Sequence, residues 1–476
     1  MDADPATLIT HALLPWLSLG WLLYLVALTV WIILQKRSPL STWAWILSLA
    51  ALPLIGFVIY FFLGPTRIRR QRLKRERLRA RQQIRASGDA ALAAGLPQRK
   101  RGLSDLVDKA TGAPVSSLVE AELLVGGETT YEALFAAIRA AKRHVHLEYY
   151  IFEPDRIGRA LRDLLVAAQQ RGVAVRMLVD AVGSTRAGRR FWAPLRAAGG
   201  EVARFHPFRL ATLKPLLNLR THRKIAVIDG EVGFCGGINV SEDHDARFAA
   251  RPWHDLHVRM RGPAVGWLQA VFAEDWLYAR KRPLPEQELY PDCHAGPIAA
   301  QVIASGPDSD SEAIHRAFLQ AMADARERVW VATPYFAPGD AALYTLTNAA
   351  MRGVDVRVLL PQRSDSRVVS AAARSFYDEL LARGIKVFEY TAGMLHSKLM
   401  VVDRDCTILG TANFDLRSFR LNFEVALAVY DPAFCARCAA QFEADLELST
   451  RITLPRPIGW MDRFGEACAR LLTPVL

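Results

Sequence analysis

Apolar positions recur along this chain in two different ways. Near the start, Leu13 to Leu34 and Trp43 to Leu63 are long runs without a charged side chain. At about 1.5 Å per residue each run reaches roughly 32 Å as a helix, enough for a hydrocarbon core of about 30 Å. The two runs predict a membrane-spanning helical hairpin. Trp16, Trp21, Trp31, Trp43 and Trp45 lie in or near these runs, several at interfacial depth, and Pro15 and Pro53 fall where an end or kink tolerates them. A cleaved signal peptide does not fit. The first run is too long, lacks a basic leader and is followed at once by the second.

Farther on, short apolar strand-like runs alternate with helical patterns, and the series occurs twice. The stretch from His144 to Phe152, followed by Pro154, parallels Arg328 to Phe336, followed by Pro338. Arg171 to Val179 likewise parallels Arg352 to Leu360. Helices are expected over Tyr131 to Ala141 and Glu312 to Arg326. Alternating strands and helices predict an α/β sheet in each half with helices on both faces. The domain plan is then a hairpin over 1–65, a basic and partly helical connector over 66–115, a first half over 116–281, a proline-containing linker over 282–306, and a second half over 307–476. The tail from 452 carries Trp460, Phe464, Leu471 and Leu472. It is compatible with a helix on the domain or against a membrane.

Each half ends in the same short pattern. His222 and Lys224 precede Ile225 to Ile228 and Asp229; His396 and Lys398 precede Leu399 to Val402 and Asp403. Both continue to a small-residue turn closed by asparagine, Gly236-Gly237-Ile238-Asn239 and Gly410-Thr411-Ala412-Asn413. One H-x-K is noise, and two with the same downstream spacing are not. On a strand, residues two apart share a face, so each His projects with its Lys. The Asp follows its Lys by an odd step and turns away, so Asp229 and Asp403 enter as motif members that support the turn. The small residues permit close backbone approach.

This residue set suits phosphoryl transfer through a covalent intermediate. A neutral imidazole is a competent nucleophile. Lys224, Lys398, Asn239 and Asn413 can hold non-bridging oxygens. A second imidazole can protonate the leaving alkoxide and then deprotonate the incoming alcohol. One histidine must therefore start neutral and the other protonated.

These residues resemble the phospholipase D superfamily, whose signature is this doubled pattern. The resemblance extends to Phe414–Ser418 and to Asn422-Phe423-Glu424. It implies that an acid hydrogen-bonds each catalytic histidine, Glu424 after the second motif and Asp255 as the counterpart after the first. Gly236-Gly237, the block Trp253 to Val265 and the N-terminal hairpin are similar to bacterial cardiolipin synthases of that superfamily. The implied fold is two tandem α/β/α halves about a pseudo-twofold axis, behind a transmembrane hairpin. The implied reaction moves a phosphatidyl group from one phosphatidylglycerol to another and releases glycerol, with His222 as nucleophile and His396 as acid and then base. Motif symmetry leaves the reverse assignment open. Water or another alcohol as acceptor is the alternative; a silent membrane scaffold or a nuclease fits less well. No nucleotide cofactor is required, and no metal-ligand constellation is visible in the sequence.

Charge agrees with a lipid surface. The net charge is +12. The arginine-rich run from Arg67 to Arg85 follows the second apolar run, and Lys36 and Arg37 lie in the turn. The positive-inside rule places the catalytic part in the cytoplasm of a bacterial cell, with the hairpin multi-pass in the inner membrane. Anionic lipids, phosphatidylglycerol included, are the expected partners; nucleic acid is not. No sequence feature bears on oligomeric state. The 6 cysteines include one C-x-x-C, Cys435 and Cys438, which is weak evidence for zinc and reads as reduced thiols.

Overall fold

The computed structural model describes residues 5–35, 39–52, 56, 60, 88–206, 219–284, 289–309 and 311–474. Lys36, Arg37 and the run from Arg67 to Arg85, on which the topology argument rests, lie outside the described residues. The chain divides into an N-terminal helical unit and a larger unit that holds everything described from Gly88 onward.

In the N-terminal unit, helix Pro5–Ile33 and helix Pro39–Ala51 contain no Asp, Glu, Lys or Arg. Leu28, Ile32, Leu49 and Tyr60 form its small core, with Trp45 edge-on to Tyr60. Trp16, Leu22, Leu23, Val26, Trp31, Trp43 and Leu47 are exposed. Among the described residues no helix is long and apolar enough to cross a membrane. The spanning hairpin is therefore not shown.

In the larger unit the sequence repeat becomes a repeat of strand order. Among the described residues the first sheet has seven strands, in the order Glu120–Val125, Leu256–Arg261, Val232–Gly236, Ile225–Ile228, His144–Tyr149, Ala174–Asp180 and Glu201–Phe205. The second places Ile298–Ser305, Glu424–Tyr430, Cys406–Gly410, Leu399–Val402, Arg328–Ala332, Asp355–Pro361 and Lys386–Tyr390 in the corresponding order. It adds Ser116–Leu118 on one edge and Ser449–Arg451 on the other. Two domain boundaries shift accordingly. Ser116–Leu118, drawn into the first half, pairs antiparallel with Ile298–Ser305 in the second sheet. Ile298–Ser305, drawn into the linker, is an interior strand of that sheet, between Ser116–Leu118 and Glu424–Tyr430. A strand too short to show alternation is not separable from linker by pattern.

The motif strands Ile225–Ile228 and Leu399–Val402 are buried at every position. Each lies between an antiparallel hairpin partner and the first of its parallel strands. Layers on both sides explain why they read as unbroken apolar runs rather than alternating ones. One core fills the space between the two sheets, with Val258, Trp267, Phe272 and Trp276 from the first half meeting Val302, Leu409, Val425 and Phe434 from the second. At about 1.5–3 kcal/mol per large apolar side chain, this shared core fixes the two halves as one body. Helix Gln98–Thr111 from the connector adds Leu103 and Val107 to the second half's own core.

The tail forms helix Trp460–Arg470. Arg456 pairs with Glu466 and Asp378, Arg463 with Asp378, and Arg470 with Glu379, which fasten one face to the domain. Trp460, Met461, Phe464 and Leu471 remain exposed.

Candidate active site

Each His-x-Lys triplet sits just ahead of its motif strand, where the chain meets the opposite half. Thr221 bridges Phe423 in parallel, and the His222 N–H donates to the Phe423 carbonyl at 2.9 Å. Leu395 bridges His254 in the same way, and the His396 N–H donates to the His254 carbonyl at 2.7 Å. Each histidine is thus anchored by main chain from the other half.

The carboxylates follow the same crossed plan. His222 Nδ1 lies 3.0 Å from both oxygens of Glu424. His396 Nδ1 lies 2.6 Å from Asp255 Oδ2. The resemblance ties each acid to the motif it follows; in the structure the acid from one half serves the histidine of the other. The reason is the register of the strands. Asp255 and Glu424 stand at the N-terminal ends of Leu256–Arg261 and Glu424–Tyr430, and those ends reach the seam where the opposite triplet crosses. With Nδ1–H given to a carboxylate, Nε2 carries the lone pair.

The small-residue turns make room for this. A Cβ on Gly237 would fall on the Asp255 carboxylate, and one on Gly236 would fall on the Leu256 carbonyl. In the second half Thr411 occupies the place of Gly237, and its hydroxyl donates to Glu424 Oε2. Asn422 Nδ2 donates to Glu424 Oε1 at 3.2 Å. Glu424 is therefore satisfied on both oxygens, as a fully buried charge must be.

Lys224 and Lys398 are buried beside the rings. Lys224 Nζ donates to the His222 carbonyl at 2.7 Å and sits 5.3 Å from the centre of the Tyr150 ring. Lys398 Nζ donates to the His396 carbonyl and lies 2.9 Å from His396 Nδ1. Asn239 Oδ1 accepts from the Ile151 N–H at 3.2 Å, which leaves its amide N–H groups for a ligand. Asn413 holds its backbone N–H against Ser418 Oγ at 3.1 Å, and its Oδ1 has no partner among the described residues.

Burial dominates the electrostatics. It lowers His222 to about 4 against the pull of Glu424. It pushes His396 well below the ordinary value, and Lys398, Lys224 and His222 push in the same direction. That influence of His222 and Lys224 on His396 reflects a shared site. Lys224 falls to about 7 and Lys398 to about 8, again through burial. Burial would raise Glu424, but His222, Lys224 and Thr411 bring it below its usual range. Burial thus disfavours the protonated form of both rings. A phosphate bound beside one ring would favour its protonated form over that of the other.

Asp229 and Asp403 are not brought to the rings. They sit at the far end of the motif strands with φ of 55° and 53°. Asp229 accepts from the N–H groups of Lys142, Arg143 and His144, and Asp403 from those of Arg326, Glu327 and Arg328. Each holds the start of the adjacent antiparallel strand, a role that suits an Asp tolerant of left-handed backbone.

Other residues enter that motif reasoning missed. Arg223, between His222 and Lys224, turns to the opposite side, pairs with Asp275 and donates to the Glu424 carbonyl at 3.1 Å. Tyr150 packs 5.1 Å from His222, and Trp253 lies 4.9 Å from His396. His244 stands 5.7 Å from His396 and accepts the Asn239 N–H on Nε2 at 3.4 Å. It occupies the fifth position after Asn239, as Ser418 does after Asn413, so aligning the two repeats past the asparagines would have flagged it. His244, Asp255 and His396 bring ligand-capable atoms within 4.8 Å of one another, a constellation that the sequence did not reveal. Lys224 and Lys398 beside it oppose a cation.

A duplicated α/β fold with one histidine–lysine motif per half at a shared seam is of the phospholipase D-like class. Residues 134–276 and 318–446 match the family described as "Cardiolipin synthase, PLD-like domain", and residues 22–65 match "Phospholipase D-nuclease N-terminal". The chain belongs to the cardiolipin synthase family of phospholipase D-like proteins. It is 36% identical over 480 residues to cardiolipin synthase 1 of Bacillus anthracis, covering 96% of this chain and 93% of that one. It is 37% identical to the cardiolipin synthase of Alkalihalophilus pseudofirmus, covering 97% and 94%. The crystal structure of phosphatidylserine synthase from Haemophilus influenzae superposes with a TM-score of 0.60 over 79% of this chain and all of that one. At 12% identity that likeness concerns the fold alone.

Proposed function

We propose that the protein is a membrane-bound cardiolipin synthase that transfers a phosphatidyl group between two phosphatidylglycerol molecules through a phosphohistidine. The observation that carries this is the crossed pairing of His222 with Glu424 and of His396 with Asp255. It gives two oriented imidazoles one common site between the halves.

His222 Nε2 attacks phosphorus while Lys224, Lys398, Asn239 and Asn413 hold the non-bridging oxygens. The bond to the glycerol oxygen breaks, and His396 Nε2 delivers the proton. Substrate binding brings a negative charge beside His396 and raises its affinity for that proton. The hydroxyl of the second lipid then gives its proton to His396 and attacks phosphorus. The phosphorus–nitrogen bond breaks, and its electron pair returns to His222. One phosphodiester replaces another, so the step needs no energy source.

Membrane integration rests on the uncharged helix Pro5–Ile33 and on the exposed Trp16, Leu22, Val26, Trp31 and Trp43. The net charge of +12 favours an anionic leaflet. The exposed Trp460, Met461 and Phe464 are further apolar surface.

Purified protein given phosphatidylglycerol in detergent micelles should release glycerol and form cardiolipin in equal amounts. Phosphatidic acid as the main product would replace the synthase with a hydrolase. Removal of product formation by a chelator would sink the mechanism.

A further inference from the structure

A cavity of about 460 Å³ is lined by neighbours of His396, though not by His396 itself. Asn239, His244 and Trp253 line it. The rings of His244 and Trp253 are the ones that flank His396, at 5.7 and 4.9 Å. Three arginines also line it: Arg156 and Arg159 from the first turn of helix Arg156–Gln170, and Arg186 from the loop after Ala174–Asp180. All three are exposed.

Their commitments differ. Arg186 pairs with Glu153 at 3.1 Å, and Arg156 lies 3.8 Å from Glu242. Asp155 is spent on the Gly158 and Glu242 N–H groups, and Asp243 accepts from Ser241 Oγ. The guanidinium of Arg159 has no side-chain partner among the described residues. So polar a lining is unsuited to an acyl chain. It suits hydroxyls in the interior and an anion at the rim.

We propose that this cavity is the acceptor subsite, in which Arg159, assisted by Arg186 and Arg156, holds the phosphate of the second lipid. The inference rests on the proposed function and adds to it. If His222 is the nucleophile, the leaving glycerol and the incoming hydroxyl both lie opposite it, on the side of His396. During the first step the cavity receives an uncharged glycerol, and the arginines have no anion to hold. During the second step it receives a glycerol hydroxyl whose own phosphate lies one three-carbon bridge away, towards the rim. The arginines therefore discriminate an anionic lipid alcohol from water or a neutral alcohol.

The test is a partition measurement. Full-length protein in mixed micelles of phosphatidylglycerol is given ethanol as a competing acceptor, and the ratio of cardiolipin to phosphatidylethanol is read. Because both products come from one phosphoenzyme, the ratio is independent of the first step. Arg159→Gln is expected to lower it about tenfold, the contribution of one charge-assisted hydrogen bond. Arg159→Glu should lower it further and Arg159→Lys should recover most of it. Arg162, on the same helix, pairs with Asp163 and lies off the cavity, so Arg162→Glu should leave the ratio at the wild-type value. Arg186→Gln provides a second arm in case Arg159 variants are poorly produced. A wild-type ratio in Arg159→Gln, Arg159→Glu and Arg186→Gln would overturn the subsite. Failure of the wild-type protein to release any glycerol would instead remove the synthase reading itself.

Discussion

Replacing Glu424 by Gln changes one charge and almost no volume, at a side chain that is fully buried. Both of its oxygens lie 3.0 Å from His222 Nδ1. When His222 Nε2 bonds phosphorus the ring becomes cationic. At that distance, with an effective dielectric of about 20, a carboxylate stabilises the cation by about 5 kcal/mol, close to four powers of ten in rate. Glu424→Gln should therefore lower phosphoenzyme formation by about a thousand- to ten-thousandfold, comparable with losing the carboxylate behind a catalytic histidine elsewhere. The crossed pairing makes the result specific to one half. With a phosphatidyl ester of p-nitrophenol the leaving group departs without a proton, so the acid's share of about a hundred- to ten-thousandfold is not needed. Asp255→Asn, which disturbs His396, should then still give a burst of nitrophenol and a phosphatidyl-enzyme visible by intact-protein mass spectrometry. Glu424→Gln should give neither, with an unchanged circular dichroism spectrum. The opposite pattern, a burst in Glu424→Gln and none in Asp255→Asn, would refute both the pairing across the halves and the assignment of His222 as nucleophile.

Lys224 near 7 and Lys398 near 8 lose their charge as pH rises through those values, so kcat/KM for the anionic substrate should decline on the alkaline side of about pH 7, measured in micelles across pH 6 to 9. His257, buried with both ring nitrogens unpartnered, is lowered by burial to about 4. The folded chain then binds fewer protons than the unfolded one between about pH 6.5 and 4, so this contribution is complete above about 6.5 and is lost as pH falls, by about 3 kcal/mol in all. His257→Leu should flatten the fall in urea midpoint between pH 7 and 5; an unchanged slope counts against it. Asp229→Ala leaves three N–H groups without their acceptor and should cost about 2–4 kcal/mol of stability while kcat per folded molecule stays near wild type. A tenfold loss of kcat would make the residue part of the chemistry. Gly237→Ala places a methyl on the Asp255 carboxylate and should reduce turnover at least about tenfold, whereas Thr411→Ser keeps the hydroxyl on Glu424 and should be nearly silent.

Much of this was legible because duplicated sequence forces duplicated geometry. Ile225–Ile228 and Leu399–Val402 announce themselves as buried strands, and the period of two places each His with its Lys. The odd step from each Lys turns Asp229 and Asp403 off the face shared by His and Lys, and both hold backbone N–H groups of the adjacent strand. What was not legible is the partner of each histidine. Asp255 follows the first motif in sequence, yet its strand enters the sheet so that its leading end faces the second. That depends on how two sheets close on a shared core, through residues such as Trp267, Phe272 and Val425, and no local pattern encodes it. The same limit hid Ser116–Leu118, whose three residues pair with a strand from the far side of the chain. The state of the imidazoles was also out of reach, because it follows from burial on all sides rather than from neighbours in sequence.

The repeat alone cannot assign roles to its two histidines, since the H-x-K motifs are equivalent. Residues outside the motifs nevertheless differ around the two rings. Around His222 the Tyr150 ring and Lys224 cover the approach, at 5.1 Å from the imidazole and 5.3 Å from one another. Beside His396 stand His244 and Trp253, which border a cavity that also reaches Asn239. A nucleophile needs only its lone pair and a bound phosphorus, whereas the acid and base must meet an alcohol that arrives and departs. Both rings are buried, His222 at 8% and His396 at 4% exposure, so the role proposed for His396 rests on the cavity that its neighbours His244 and Trp253 border. Exchanging the roles would require the acceptor to pass the ring of Tyr150, so Tyr150→Ala should leave the cardiolipin-to-phosphatidylethanol partition intact if the assignment is right and shift it if the roles are reversed.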